Sequence, residues 1–151
     1  MRASCGVNHL GIAGMAAVFF CSAALIARDQ HASQGHRHPA AQKLKNPVAG
    51  DPASIKAGEQ LYEKSCAECH GDTGKGDGMT GEGLDPPPAD LTDADWKHGS
   101  SDGEIFIVIR DGVPNTDMKA FRRKLTERQI WDLTNYIRTL AVKATKNQQP
   151  H

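Results

Sequence analysis

A chain of 151 residues suits one small domain plus extensions. Eighteen Lys and Arg balance eighteen Asp and Glu, and only 5% of the residues are aromatic; neither the total charge nor aromatic interleaving marks a nucleic-acid binder. Of four cysteines, Cys5 and Cys21 fall in an N-terminal targeting segment, which leaves no spare pair for a structural disulfide.

Residues 10–27, LGIAGMAAVFFCSAALIA, form an unbroken apolar run behind a short segment carrying Arg2. Small residues at Ser22, Ala23, Ala24 and Ala27 close the run and Arg28-Asp29 follow, so residues 1–27 are read as a secretory signal peptide. An uncleaved N-terminal membrane anchor is the alternative, because the run barely reaches spanning length. Phe20 ahead of Cys21 argues against a lipoprotein site. Either way the remainder is expected to be exported, to the periplasm. Residues 28–50 carry Gln, His, Ala, Pro and Lys without apolar periodicity and read as a flexible polar linker. Its His31, His36 and His38 fit a solvated tether, with metal binding as the alternative.

Asp51 as N-cap and Pro52 at the first helical position open a helix in which Ile55, Gly58, Leu61, Tyr62 and Ser65 recur at helical spacing. The helix runs into Cys66-Ala67-Glu68-Cys69-His70. Two thiols three residues apart with an imidazole directly behind them are the attachment signal of a c-type haem. The thiols can add to the porphyrin vinyl groups as thioethers, and His70 is close enough to ligate the iron. No second Cys pair completes a zinc tetrahedron, and no βαβ pattern supports a redox dithiol. One covalently held haem would also staple and fill a small core that is poor in aromatics.

From Gly71 to Gly83 the chain is glycine-rich, but it lacks the ending of a phosphate-binding loop and the spacing of a calcium loop. Glycines there let the backbone approach a flat ligand. Pro86-Pro87-Pro88 is too stiff for a helix, and Thr92 is placed to cap a short helical turn ending near Trp96 and His98. In SSDGEIFIVIRDG the β-branched run suggests a strand, yet Ser101 with Glu104 forms a capping box and Gly112 a stop, so a helix is predicted. Its apolar faces suit a position between haem and core, with Ile105 a pocket candidate. In the last helix, Thr126 and Gln129 form a capping box and Leu125 and Ile130 a hydrophobic staple; Ile130, Leu133, Tyr136 or Ile137, and Leu140 supply the buried stripe. An all-α domain is expected over 51–142, with a disordered tail over 143–151.

A second axial ligand would close the iron to substrate. Met79, nine residues after His70, is badly placed to reach the opposite face, whereas Met118 in GVPNTDMKAF lies far enough along to cross over, with Phe121 beside it. Filling a core gap is the other use of Met118, and His98 is the competing ligand.

From Asp51 to Leu140 the chain resembles the class I c-type cytochromes, the small soluble monohaem family. The resemblance rests on AGEQLYEKSCAECHG, the glycine-rich stretch, LDPPPADL, GVPNTDMKAF and QIWDLTNYIRTL. It implies a few helices wrapped around one haem c, with the first and last helices crossing through Gly58 and Tyr62 against Tyr136 or Leu133. It also implies a proline carbonyl, here one of Pro86 to Pro88 with Pro87 central, accepting from the His70 ring, and Trp96 near the haem propionates or half-buried in the core. The implied activity is electron transfer between Fe(II) and Fe(III) rather than catalysis. The working hypothesis is an exported carrier between respiratory or dehydrogenase complexes. A tightly bound subunit of a larger oxidoreductase and a haem-based gas or redox sensor are the alternatives.

The neutral total hides an asymmetry. Residues 59–117 hold 14 acidic and 4 basic side chains, while from Met118 onward 8 basic residues face Glu127 and Asp132. Lys119, Arg122, Arg123 and Lys124 adjoin Met118 and are candidates for docking donor and acceptor proteins with acidic surfaces.

Overall fold

In chain order a 3₁₀ turn (Ala41–Lys43) precedes four helices: α1 (Pro52–Ser65), the single turn α2 (Ala67–His70), α3 (Asp102–Asp111) and α4 (Glu127–Asn147). This computed structural model describes residues 38–93 and 96–147, and no strand occurs among them. The signal segment, most of the linker with His31 and His36, and residues 148–151 lie outside the described residues.

The helix ends follow the local chemistry. Asp51 accepts from the Ala53 amide (2.9 Å) with Pro52 in the first turn. Ser101 and Glu104 complete their capping box, with the Ser101 amide on Glu104 Oε2 at 3.0 Å and the Glu104 amide on Ser101 Oγ at 3.3 Å. Thr126 and Gln129 do the same for α4, at 2.9 and 3.3 Å. The run IFIVI is helical because these caps fix its start and the Gly112 turn ends it. Ile105, Phe106, Ile107 and Ile109 are all buried, so nearly the whole circumference of α3 is in the core. The short helical turn expected after Thr92 is not formed among the described residues; instead the Asp90 carboxylate accepts from the Thr92 amide (2.7 Å) in a turn. Helix α4 extends to Asn147, past the predicted tail start at 143. The reason is local: Ala141 to Lys146 contains no glycine or proline, and the first breaker is Pro150.

The core is one cluster built from α1, α3 and α4. Phe106 stacks on Trp131 with ring centroids 4.1 Å apart. Helices α1 and α4 cross at Gly58. A Cβ there would overlap the Asp132 carbonyl oxygen and come within 2.9 Å of Tyr136 Cβ, so the two backbones meet at a distance only glycine permits. One turn on, fully buried Tyr62 packs its ring 5.2 Å from that of Tyr136, tilted by 53°. Tyr136 is therefore the aromatic partner at the crossing, and Leu133 is buried alongside.

Residues 38–50 are not a free linker at their C-terminal end. Ala41 is buried, and its carbonyl sits where a Cβ on Gly103 would be. Gln42 donates to Glu104 (3.1 Å), and the Asn46 amide donates to Asp102 (3.1 Å) and Asn135 (2.7 Å). In turn Asn135 donates to the Val48 carbonyl and to Ser54 Oγ, both at 2.8 Å, and Ser54 donates to Asp132, which also pairs with Arg128 (2.9 Å). This buried polar relay fastens the strap of residues 41–48 to α1, α3 and α4. Nothing in its composition announced it, because each partner is more than 50 residues away.

Replacing Gly58 by Ala is expected to cost about 1–3 kcal/mol of unfolding free energy through overpacking. Urea denaturation of the haem-loaded protein measures it, and an unchanged midpoint would show that the helices can part without cost. Asn135→Ala removes two donors at once and is expected to cost about 1–3 kcal/mol. Amide exchange over residues 41–48 should accelerate in that variant; retained protection would mean that Asn135 does not hold the strap.

Candidate functional site

The continuation of α1 presents the two thiols. At Cys66 the backbone turns aside (φ −127°, ψ −39°), but its amide still reaches the Tyr62 carbonyl (2.8 Å) and the His70 amide reaches the Cys66 carbonyl (2.9 Å). Gly58, Tyr62, Cys66 and His70 thus follow one another at intervals of four residues. Both thiols are unbridged and half-buried. Burial, and secondarily the neighbouring Cys69, pushes the Cys66 thiol up to about 12, so it is a neutral thiol beside an apolar surface.

The loop after His70 folds back onto the motif. Amides of Gly76, Gly78 and Thr80 donate to the carbonyls of His70, Cys69 and Glu68 at 2.8, 3.1 and 2.9 Å. These bonds satisfy the last turn of α2. A Cβ on Gly78 would overlap the Glu68 carbonyl and stand 2.6 Å from that of Ala67, so the sequence needs glycine here for close approach. Further on, the Leu91 amide donates to the Gly74 carbonyl (2.6 Å), which brings residues 88–91 against the same turn.

That path sets the His70 ring. Nδ1 lies 3.0 Å from the Ala89 carbonyl oxygen, which can only accept, so Nδ1 carries the proton and Nε2 keeps its lone pair. Burial lowers the His70 pKa against the raising effect of the Ala89 bond, which favours the neutral ring that coordination requires. The orienting carbonyl therefore belongs to Ala89 and not to any of Pro86 to Pro88. Pro87 is exposed, and the prolines serve to deliver the chain to Ala89. Sequence spacing could not separate these carbonyls, since a loop's path decides which one arrives at the ring.

The remaining site residues fall into two groups. Ile105 is 4% exposed, and Cys66, Leu91, Trp96 and Phe121 are half-buried against the same core. Such a rim of apolar side chains beside two free thiols and an imidazole with Nε2 available fits haem c. Trp96 donates its indole N–H to the Asp93 carbonyl (2.6 Å), so that donor is already used within the chain. Met118 is half-buried in the loop from α3 to α4. Its carbonyl accepts from Val113 (2.9 Å), its amide donates to Thr116 Oγ1 (3.1 Å), and the Phe121 amide ties the loop's end to the Ile109 carbonyl (3.1 Å). Met79 is 89% exposed, and His98 is half-buried in the turn before α3.

The basic candidates are partly paired. Lys119 meets Asp117 (3.3 Å), and Arg122 meets Asp111 (3.1 Å), which also pairs with Arg110 (2.7 Å). Arg110, and then Arg122, hold the Asp111 carboxyl below the usual carboxylate range. Arg123 and Lys124 are exposed, with the Lys124 ammonium 5.7 Å from the Phe121 ring centroid. Among the described residues no cluster of three or more His, Cys, Asp or Glu could hold a further metal ion. Nor is any helix among them long and apolar enough to cross a membrane.

Several known proteins are similar to this chain. The family model described as cytochrome c oxidase, cbb3-type, subunit III matches residues 53–137. The cbb3-type cytochrome c oxidase subunit CcoP of Azospirillum sp. (strain B510) is 30% identical over 96 residues, which cover 63% of this chain and 31% of that protein. Subunit FixP of Azorhizobium caulinodans is 31% identical over 99 residues, covering 66% and 31%. The chain thus spans about a third of the length of the curated relatives it matches. Among solved structures, a reducing HAO-like protein complex of Kuenenia stuttgartiensis is similar with a TM-score of 0.58 at 29% identity, over 64% of this chain and 49% of that one. Cytochrome CL of Methylophaga aminisulfidivorans has a TM-score of 0.50 at 23% identity over 67% and 69%, a likeness of fold alone. With a match over most of the helical domain, this chain belongs to the family of cbb3-type cytochrome c oxidase subunit III, all-α c-type cytochromes with covalently bound haem c.

Proposed function

We propose that this chain is the electron-carrying domain of an exported respiratory oxidase assembly, with Cys66 and Cys69 tethering the haem and His70 and Met118 as axial donors. The observation that carries the reading is the bond from His70 Nδ1 to the Ala89 carbonyl, which leaves Nε2 as a fixed, neutral donor directly behind the two thiols. Haem c supplies a one-electron Fe(II)/Fe(III) couple when bound. The chain's own part is positional. Ala89 orients His70 and raises its basicity. Val113 and Thr116 hold the Met118 backbone in a closed loop, so that a soft thioether can be offered from a fixed place. Ile105, Leu91 and Phe121 belong to the same apolar core against which Cys66 packs. Arg123 and Lys124, exposed near that loop, are the residues left to steer an acidic partner.

The oxidase assignment is supported by the relatives named as cbb3-type oxidase subunits, and placement in the periplasm by the apolar run at 10–27. A freely diffusing carrier is the competing arrangement.

Met118→Ala is expected to abolish the weak far-red band of the ferric protein, to lower the reduction potential and to let the ferrous protein bind carbon monoxide; an unchanged spectrum eliminates Met118 as a ligand. Fractionation of native membranes tests the assembly. Retention of the chain with a membrane oxidase is expected, whereas complete recovery in the soluble fraction would establish the diffusing carrier.

A further inference from the structure

Tyr62 is described by the family resemblance only as an aromatic at the helix crossing, a role that its ring alone fulfils. Its hydroxyl does something else. Fully buried, it donates to the Gly71 carbonyl at 2.7 Å, one residue beyond His70. The same carbonyl accepts from the Gly74 amide (3.1 Å), the Gly74 carbonyl accepts from the Leu91 amide (2.6 Å), and two residues before Leu91 stands Ala89 with its carbonyl on His70 Nδ1 (3.0 Å). The Gly76 amide on the His70 carbonyl (2.8 Å) closes the circuit. The loop of residues 71–91 is therefore a ring of hydrogen bonds that begins and ends at His70. Among these bonds, the Tyr62 hydroxyl is the one that fastens the ring to the rigid helix crossing.

We propose that the Tyr62 hydroxyl is a positioning group for His70, acting through Gly71 and the 71–91 loop on the Ala89–His70 bond. A phenylalanine would fill the crossing equally well, since the ring contact with Tyr136 needs no oxygen. Without the hydroxyl, the Gly71 carbonyl keeps only the Gly74 amide, and the turn that seats Leu91 and Ala89 loses its side-chain link to α1. A looser Nδ1–H bond makes His70 a less basic donor, which favours the reduced iron. The inference rests on His70 as axial ligand.

The test compares haem-loaded Tyr62→Phe with Thr134→Ala, which loses a buried hydrogen bond and a methyl group within α4, outside the loop and the polar relay. For Tyr62→Phe, loss of a bond worth about 1 kcal/mol should speed solvent exchange of the His70 Nδ1 proton roughly fivefold, and the reduction potential should rise. Thr134→Ala should lower the unfolding temperature and leave both readouts at the parent values. If Tyr62→Phe loses stability but keeps the parent exchange rate and potential, the hydroxyl is structural only and the proposal fails. A parent protein whose spectrum lacks histidine ligation would overturn the His70 assignment itself, a different result from the first.

Discussion

The meeting of two backbones at Gly58 is the constraint on which the rest depends. A side chain at that position would have to occupy the space of the Asp132 carbonyl, so helices α1 and α4 can approach this closely only because the residue is glycine. The crossing fixes the rotation of α1 about its own axis, and every fourth residue thereafter inherits it: Tyr62 under Tyr136, Cys66 at the bend, His70 at the end of α2. A motif that looks self-sufficient in the sequence is aimed by a contact eight residues ahead of it. The buried relay from Asn46 through Asn135 and Ser54 to Asp132 braces the same crossing from the other side.

How much of this was legible depends on the range of the interaction. Caps were legible because Asp51, Ser101 with Glu104, and Thr126 with Gln129 act within three residues, and their chemistry outweighed the β-branched character of IFIVI. The thiols and His70 were legible because attachment requires a fixed spacing. The strap was not, since Asn46 and Asn135 are 89 positions apart and polar residues without periodicity look the same whether solvated or paired. The Ala89 carbonyl was missed for a related reason. A loop's register is set by where its glycines permit close packing, and Gly74, Gly76 and Gly78 decide that only once α2 is in place.

Charge illustrates the same difference between composition and geometry. Read along the chain, the segment after Met118 is strongly basic. In space, Asp117 and Asp111 stand against Lys119 and Arg122 and offset part of that field. Such half-exposed pairs add little stability, typically about 0–1 kcal/mol, but they shorten the range at which a partner senses the surface. Arg123 and Lys124 stand exposed beyond these pairs, and the proposed docking surface centres on them.

Electron transfer places a particular demand on the chain: the donors around the iron must hardly move when its charge changes. Under the proposed ligation by His70 and Met118, two loops meet that demand by different means. The 71–91 loop is stitched to α2 through backbone amides and to α1 through a buried phenol, so the His70 ring cannot turn without breaking its bond to the Ala89 carbonyl, which that stitching holds in place. The Met118 loop is shorter and is closed on itself at Val113 and Thr116, then clamped to the end of α3 by the Phe121 and Arg122 amides. A site meant to open for a substrate would need at least one side held weakly. Here the His70 side is held by α1 and α2 and the Met118 side by α3, an arrangement that, under the proposed ligation, suits passing an electron better than admitting a reactant.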